Sequence, residues 1–528
     1  MKISPLLKTD FYKIYHWAQY NPLTEYVYSN TTARKSRLDD VNSVVVFGLR
    51  YFVEEYLIND WNENFFNRDI EDVIFEYRRI IDNTIGAHTV NEDQLKYLHG
   101  LGYLPIRLKA LPEGTQCPIG VPCVTIINTD PKCYWLTNFV ETISQTVLWQ
   151  PITSATIAHR YKLLLDQFAE ETSDAAAFVQ WQAHDFSMRG MSSFESCCVS
   201  GAGHLLSFTG TDSIPAICML EKYYGADVTK ELVGASVTAS EHSVQCSHYE
   251  GGDNEDAYIA RMLEIQQEGI VSVVADGIDY WKFISQNLIT FKDQIMARNG
   301  KFVVRPDTGD PVRIVCGYQV TDTSYSYDEL IEKLCHQTTY LKLWDNVECF
   351  KTSDGRYLTT LEEITELEAK GSIQVLYEIF GGTVNSKGYI DLDPHIGLIY
   401  GDSITYERCQ SICEKLRAKG FSSTNVVYGI GSYTYQYNTR DTFSLACKAT
   451  WVQINGVAKP IFKDPKTGDG MKKSAKGLLQ VVKTGDTLVL RDNVTPEEEA
   501  TGELKVIFEN GKQFAIQTLS EIRERLLK

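Results

Sequence analysis

The residues in this chain whose types could do chemistry recur at similar intervals. Phe186, Arg189, Asp212, Glu241, His242, Asp276, Arg305, Asp307, Asp402 and the glycine turns at Gly401 and Gly431–Ser432 fall at or just after the ends of short apolar runs. Arg189 and Arg305 can fork onto phosphate oxygens, and Asp307 or Asp402 can accept from sugar hydroxyls. The Gly-Asp and Gly-x-Gly turns let backbone N–H groups approach a phosphate at a helix start. A lone strand-terminal aspartate is as readily a helix cap, and a lone Gly-x-Gly only a tight turn. The set as a whole is what points to a ligand carrying phosphate and sugar together.

His242, beside Glu241 in SEHS, can serve as a general base, a phosphate acceptor or a metal ligand, against the ordinary reading of a structural histidine. Its position in the series of strand ends favours the chemical reading. Tyr12, in TDFYKIYHWAQYNP, offers a stacking face for a flat ring with Phe186 as its opposite, although most such aromatics fill cores. Arg34, in TTARKSR, is a phosphate contact or an ordinary surface residue. Seven lysines between Lys459 and Lys483 face only Asp464 and Asp469, which reads as a basic loop over an anionic group or as a solvated charged turn.

The elements that must position these residues are seven strand-like runs, each followed by a helical stretch. The runs end at Phe186, Asp212, His242, Asp276, Asp307, Asp402 and Gly431, at spacings of 26, 30, 34, 31, 95 and 29 residues. All but one spacing suits a single strand-helix step. The expected fold is α/β: a parallel TIM-like barrel, complete or incomplete, over residues 151–440, with an insertion at about 313–395. An open doubly wound sheet is the alternative, since periodicity does not separate the two. Residues 1–150 and 441–528 are expected to pack together as one α+β domain built from both termini.

Composition narrows the function. The chain has 528 residues and a net charge of −18, which argues against general binding to nucleic acid or an anionic membrane. No apolar run of membrane-spanning length and no secretory leader are visible, so a cytoplasmic location is expected. Thirteen scattered cysteines without a C-x-x-C suggest reduced thiols, and neither H-E-x-x-H nor a P-loop motif occurs.

TDFYK, NTDPKCYWLTNFVETI, QPITSATIA, HDFSMRG, GTDSIPA, SEHS, SVVADGID, VRPDTGDP, GDSI, TRD and FKDP, in that order, resemble the nicotinamide phosphoribosyltransferases, a type II phosphoribosyltransferase family. The resemblance implies joining of nicotinamide to phosphoribosyl pyrophosphate, giving nicotinamide mononucleotide and pyrophosphate. It implies Mg²⁺, held mainly through the substrate pyrophosphate by unspecified protein ligands, and ATP as co-substrate through a phosphorylated histidine. His242 is then that histidine, oriented by Glu241 and Asp276. Phe186 and a partner subunit's Tyr12 sandwich the ring, and Asp212 reads the carboxamide. Arg189, Ser272, Arg305, Asp307, Gly401, Asp402, Gly431 and Ser432 contact substrate. Arg34, Arg440, Lys448, Lys463 and Lys472 neutralise pyrophosphate, some of them from a second copy, which implies a homodimer with shared sites.

Three positions depart from the family pattern. Ser432 replaces a second glycine, Gly397 replaces an arginine and Thr238 replaces a proline, which puts details of the sugar-phosphate subsite in question. The rival readings are a nicotinate phosphoribosyltransferase, a silent homologue acting as a binding protein, and a metal-dependent barrel hydrolase.

Overall fold

In a computed structural model, residues 3–249, 255–334, 344, 347–360, 362–462 and 475–528 are described. Seven parallel strands form one curled sheet: β1 (Ala183–Asp185), β2 (Gly210–Thr211), β3 (Thr238–Ala239), β4 (Val271–Val274), β5 (Phe302–Arg305), β6 (Ile396–Tyr400) and β7 (Val426–Ile430). Their spatial order is β2-β1-β7-β6-β5-β4-β3. Every strand is parallel to its neighbours, so each needs a crossover, and the helices after the runs supply it. β4 is buried along its whole length, as a strand covered on both faces must be.

The two edges of the sheet meet. Thr211 N donates to Ala235 O at 3.0 Å and Ala235 N to Thr209 O at 2.8 Å, so the segment leading into β3 closes against β2. Among the described residues the result is a seven-stranded barrel, closed by the Gly210–Ala235 bridge, where the TIM pattern has eight strands. Several strands are shorter than the apolar runs suggest. The run that ends at Phe186 begins with a helical turn, Val179–Gln182, before β1.

Both termini contribute to a second, antiparallel sheet. Its order is Val457–Pro460, Leu445–Ile454, Thr24–Ala33, Pro122–Asn128, Ile106–Ala110, Lys505–Glu509 and Lys512–Gln513. Residues 150 and 151, where a boundary was expected, lie inside one helix, Glu141–Thr172, which carries Pro151. This helix ties the two bodies together. Gln145 Nε2 donates to Thr31 Oγ1 at 3.3 Å on the terminal sheet, and Ser154 Oγ to Ser200 Oγ at 3.1 Å on the barrel helix Phe194–His204. Gly203 permits the close crossing, since a Cβ there would lie 2.9 Å from Ala155 N. The insertion between β5 and β6 holds a small sheet of Val320–Asp322, Cys349–Lys351, Tyr357–Leu358 and Glu363–Ile364. A short helix, Glu366–Lys370, follows it, started by a Thr365–Glu368 capping box.

Candidate active site

Because all seven strands run the same way, their carboxyl ends share one mouth, and the turns leaving them carry the chemistry. At β1, His184 and Phe186 stand two residues apart on one strand face, with ring centroids 4.7 Å apart. His184 Nε2 donates to Asp212 Oδ1 at 2.8 Å, and Ser236 Oγ donates to the same oxygen at 2.5 Å. Burial pushes the Asp212 carboxyl up, but these two bonds and the Arg305 charge outweigh it and hold the group below the ordinary carboxylate range. Asp212 is therefore ionised at neutral pH. With Oδ1 taking both bonds, Oδ2 is left to accept from a ligand. A cleft of about 740 Å³ between Tyr51, Met188, Phe194, Ile214 and Tyr223 reaches Asp212 from the side away from Phe186, which does not line it.

On the opposite arc, Asp276 organises a second group. Its buried carboxylate binds His242 Nε2 through Oδ1 at 2.9 Å. Oδ2 accepts from Asp307 N at 2.9 Å, Thr308 N at 2.8 Å and Thr308 Oγ1 at 2.7 Å. Burial raises the Asp276 carboxyl, yet the Thr308, Asp307 and His242 bonds bring it below its ordinary value. An anionic Asp276 fixes the tautomer of His242: Nε2 carries the hydrogen and Nδ1 keeps its lone pair. The histidine side chain is 44% exposed, so that nitrogen is open to a reagent.

Between the two arcs, Arg305 donates through Nη2 to Ser240 O at 2.9 Å, and its Nε lies 3.5 Å from Asp307 Oδ1. Among the described residues, neither Arg305 Nε nor Asp307 Oδ1 has a hydrogen-bond partner, although both atoms are buried. Burial raises the Asp307 carboxyl, helped by the Asp276 and Asp402 charges and opposed by Arg305 and His242. Asp307 packs over Gly401, where a Cβ would come within 1.9 Å of its Oδ1, so any side chain there would push the Asp307 carboxylate out of its place. Gly431 caps the turn into the short helix Ser432–Gln436. Ser432 is accommodated because its partner is glycine, since a Cβ on Gly190 would sit 2.0 Å from Ser432 Oγ. Gly397 faces Lys301, whose Cδ would lie 3.0 Å from a Cβ there, so the lysine stem crosses the space of the missing side chain.

The remaining predicted residues fall into three groups. Ser272 is buried within β4, and its carbonyl accepts from Ser240 N at 3.0 Å. Arg189 is exposed at the turn Met188–Gly190 without an ion pair among the described residues. Glu241 departs from its expected role: its carboxylate takes the Ser243 hydroxyl and not His242, because the backbone turns into the helix His242–Cys246 at that point. Among the described residues, Asp276 is the side chain that bonds the histidine ring.

Arg34, Arg440 and Lys448 lie on the terminal sheet side. Arg34 N donates to Ser444 O at 3.4 Å, next to the turn Arg440–Thr442, and Lys448 pairs with Asn30 one strand away. Tyr12 is 62% exposed, and its ring neighbours within the chain are Lys13 and His16. Lys463 and Lys472 lie outside the described residues. His184, Ser236 and Thr308 were missed by sequence reasoning. Strand alternation two residues before Phe186 could have flagged His184, but nothing local marks the other two. No group of three or more His, Cys, Asp or Glu side chains among the described residues is arranged to hold a metal ion by itself.

A parallel barrel with phosphate-type turns at its mouth and an α+β partner sheet defines a phosphoribosyltransferase of the nicotinate type, and residues 181–512 match the nicotinate phosphoribosyltransferase family. Two solved structures share this fold at TM-score 0.53 and 13% identity, covering 98% of this chain and 93% of theirs: human nicotinic acid phosphoribosyltransferase and the nicotinate-nucleotide pyrophosphorylase from Pyrococcus furiosus. Within that class, residues 4–97 match the N-terminal domain of nicotinamide phosphoribosyltransferase. The nicotinamide phosphoribosyltransferase of Acinetobacter baylyi is 44% identical over 99% of this chain and 97% of its own, and that of Xanthomonas campestris 30% identical over 98% and 97%. The chain belongs to the nicotinamide phosphoribosyltransferase family.

Proposed function

We propose that this enzyme transfers the phosphoribosyl group from phosphoribosyl pyrophosphate to nicotinamide, forming nicotinamide mononucleotide and pyrophosphate in NAD biosynthesis, with ATP hydrolysis coupled through His242. The observation that carries the choice of base is the anionic Asp212, held through Oδ1 by Ser236 and by His184, whose ring packs against Phe186. Its Oδ2 accepts from a carboxamide NH₂, whereas a nicotinate carboxylate would meet like charge and find no donor.

In the transfer step the pyridine nitrogen attacks C1′ as the C1′–oxygen bond to pyrophosphate lengthens, and the leaving pyrophosphate takes the electron pair. The chain's task is position and charge: Phe186 and Asp212 aim the ring, and Arg305 faces the developing anionic charge. Asp307 and Asp402 present hard oxygen donors suited to Mg²⁺, which when bound with the pyrophosphate supplies charge neutralisation. In the ATP step His242 Nδ1 attacks the γ-phosphorus. A nitrogen–phosphorus bond forms, the bond to the β-phosphate oxygen breaks and ADP leaves. Asp276 stabilises the ring as it gains positive charge.

The reading includes a cytoplasmic homodimer in which a partner's Tyr12 closes over the ring opposite Phe186. Arg34, Arg440, Lys448, Lys463 and Lys472 then surround the pyrophosphate. Tyr12's exposure, with ring contacts only to Lys13 and His16 among the described residues, supports this role. The test is mass-spectrometric product analysis with nicotinamide, phosphoribosyl pyrophosphate and Mg²⁺, with and without ATP. Nicotinamide mononucleotide formed faster with ATP, and a phosphorylated wild-type protein lost in His242→Ala, are expected. A His242→Ala protein stimulated by ATP as the wild type is would remove the phosphohistidine.

A further inference from the structure

We infer that Asp185, which touches no substrate in the reading above, is the positioning residue that fixes the aromatic wall and the base-reading carboxylate relative to each other. The inference rests on that reading of the reaction.

Asp185 ends β1 and is fully buried. Its Oδ1 accepts from Ser187 N at 2.9 Å. This bond turns the chain immediately after the strand, so that Phe186 stands against His184 and Arg189 follows at the turn. The main-chain oxygen of the same residue accepts from Asp212 N at 2.9 Å. One residue therefore holds the first backbone atoms of both arms that meet the ring.

The setting shows that the carboxylate is not there for core stability. Asp185 makes no ion pair among the described residues, and its Oδ2 takes no hydrogen bond. Such burial is unfavourable unless the remaining bond is needed. The surroundings make room for it. A Cβ on Gly201 would lie 2.6 Å from Ala216 Cβ and 3.2 Å from Asp185 Oδ2, so glycine lets the helix Phe194–His204 pack closely on its neighbour beside the carboxylate. That helix and the one beginning after Asp212, Ile214–Tyr224, meet at this point. An alanine at 185 would pack here with less cost to the fold but could not hold Ser187.

The experiment compares Asp185→Ala and Asp185→Asn with the wild type in steady-state kinetics for each substrate, alongside thermal melting. Losing one such bond is worth about tenfold. Asp185→Ala is expected to raise the nicotinamide KM by about tenfold and to narrow discrimination against nicotinate by a similar factor, leaving the phosphoribosyl pyrophosphate KM within about twofold. Asp185→Asn keeps an acceptor for Ser187 N and is expected to restore most of the nicotinamide KM. An Asp185→Ala protein that melts with the wild type and keeps its nicotinamide KM overturns the inference and leaves the reaction assignment standing. So does an equal rise in both KM values, or a loss confined to kcat. If the alanine variant does not fold, Ser187→Pro, which removes the donor N–H at a residue whose φ of −76° proline accepts, decides instead: a rise of about tenfold in nicotinamide KM supports the inference and a KM within about twofold of the wild type overturns it. A wild type that forms no mononucleotide overturns both readings.

Discussion

Replacing Asp212 by asparagine keeps the side chain's shape and exchanges an anionic acceptor for a neutral amide with its own donor, so it probes both terms that distinguish nicotinamide from nicotinate. In the wild type, Asp212 Oδ1 is held by His184 and Ser236, and the group is ionised. A nicotinate carboxylate brought to about 4 Å from it would be repelled by about 4 kcal/mol at an effective dielectric of about 20. Arg305 and His184 offset part of this, so the repulsion felt is about 3 kcal/mol, or about two powers of ten in kcat/KM. In Asp212→Asn the side-chain oxygen keeps the His184 and Ser236 bonds, which turns the amide NH₂ toward the ligand. A nicotinate carboxylate then gains a donor, while the nicotinamide NH₂ loses a charged acceptor worth about 1.5–3 kcal/mol. The expected result is a nicotinate kcat/KM raised by about 100-fold and a nicotinamide kcat/KM lowered by about 10- to 100-fold. The assay is initial-rate formation of the two mononucleotides, measured separately by chromatography at saturating phosphoribosyl pyrophosphate. An unchanged ratio of the two rates would refute the role of Asp212 and the electrostatic argument behind it.

Asp276→Asn should lower the ATP-stimulated rate by about 10- to 100-fold, because the asparagine must turn its NH₂ toward His242 to keep the Asp307 and Thr308 donors satisfied, and the histidine loses its counter-charge; single-turnover phosphorylation from labelled ATP reads this directly. Gly401→Ala should raise the phosphoribosyl pyrophosphate KM by about tenfold, since the new methyl displaces Asp307 from its place beside Arg305, with melting little changed. Glu113 is buried, accepts from Gly48 N and Arg50 N, and burial pushes its carboxyl up to about 7. The folded state therefore holds this proton where the unfolded chain has lost it. The stabilisation is complete at low pH, declines from about pH 4.5 and is lost through about pH 7, for a change of about 3 kcal/mol. Glu113→Gln should flatten that part of the melting-temperature profile, and a profile still falling as in the wild type would show that Glu113 does not titrate there.

Several parts of this molecule were fixed locally and so were legible in the residues. All seven barrel strands lie within the runs read from the sequence, most plainly β4, since a strand buried on both faces must be continuously apolar wherever it sits. The helix Tyr406–Ala418 starts at its capping Thr405, and the carboxyl-terminal helix Leu519–Leu526 starts at a Thr518–Glu521 capping box; caps act within one turn. The residues gathered at the mouth, from Phe186 to Ser432, follow from parallel strands having their carboxyl ends on one side.

Other features depend on partners far away in sequence. Barrel closure rests on Ala235 pairing with Thr209 and Thr211, which no periodicity reveals. The helix Glu141–Thr172 runs through the expected boundary because its faces are buried by both bodies at once, and Pro151 is tolerated within it, packed against Gly48. The orientation of His242 by Asp276 and not by the adjacent Glu241 is a matter of backbone direction after β3. The ionised state of Asp212 needs Ser236, 24 residues on, and His184, 28 residues back. The sequence by itself determined which residue types stand at the strand ends. Tertiary structure decided which of them touch, because hydrogen bonds and charges act over a few ångströms, a distance that sequence separation does not measure.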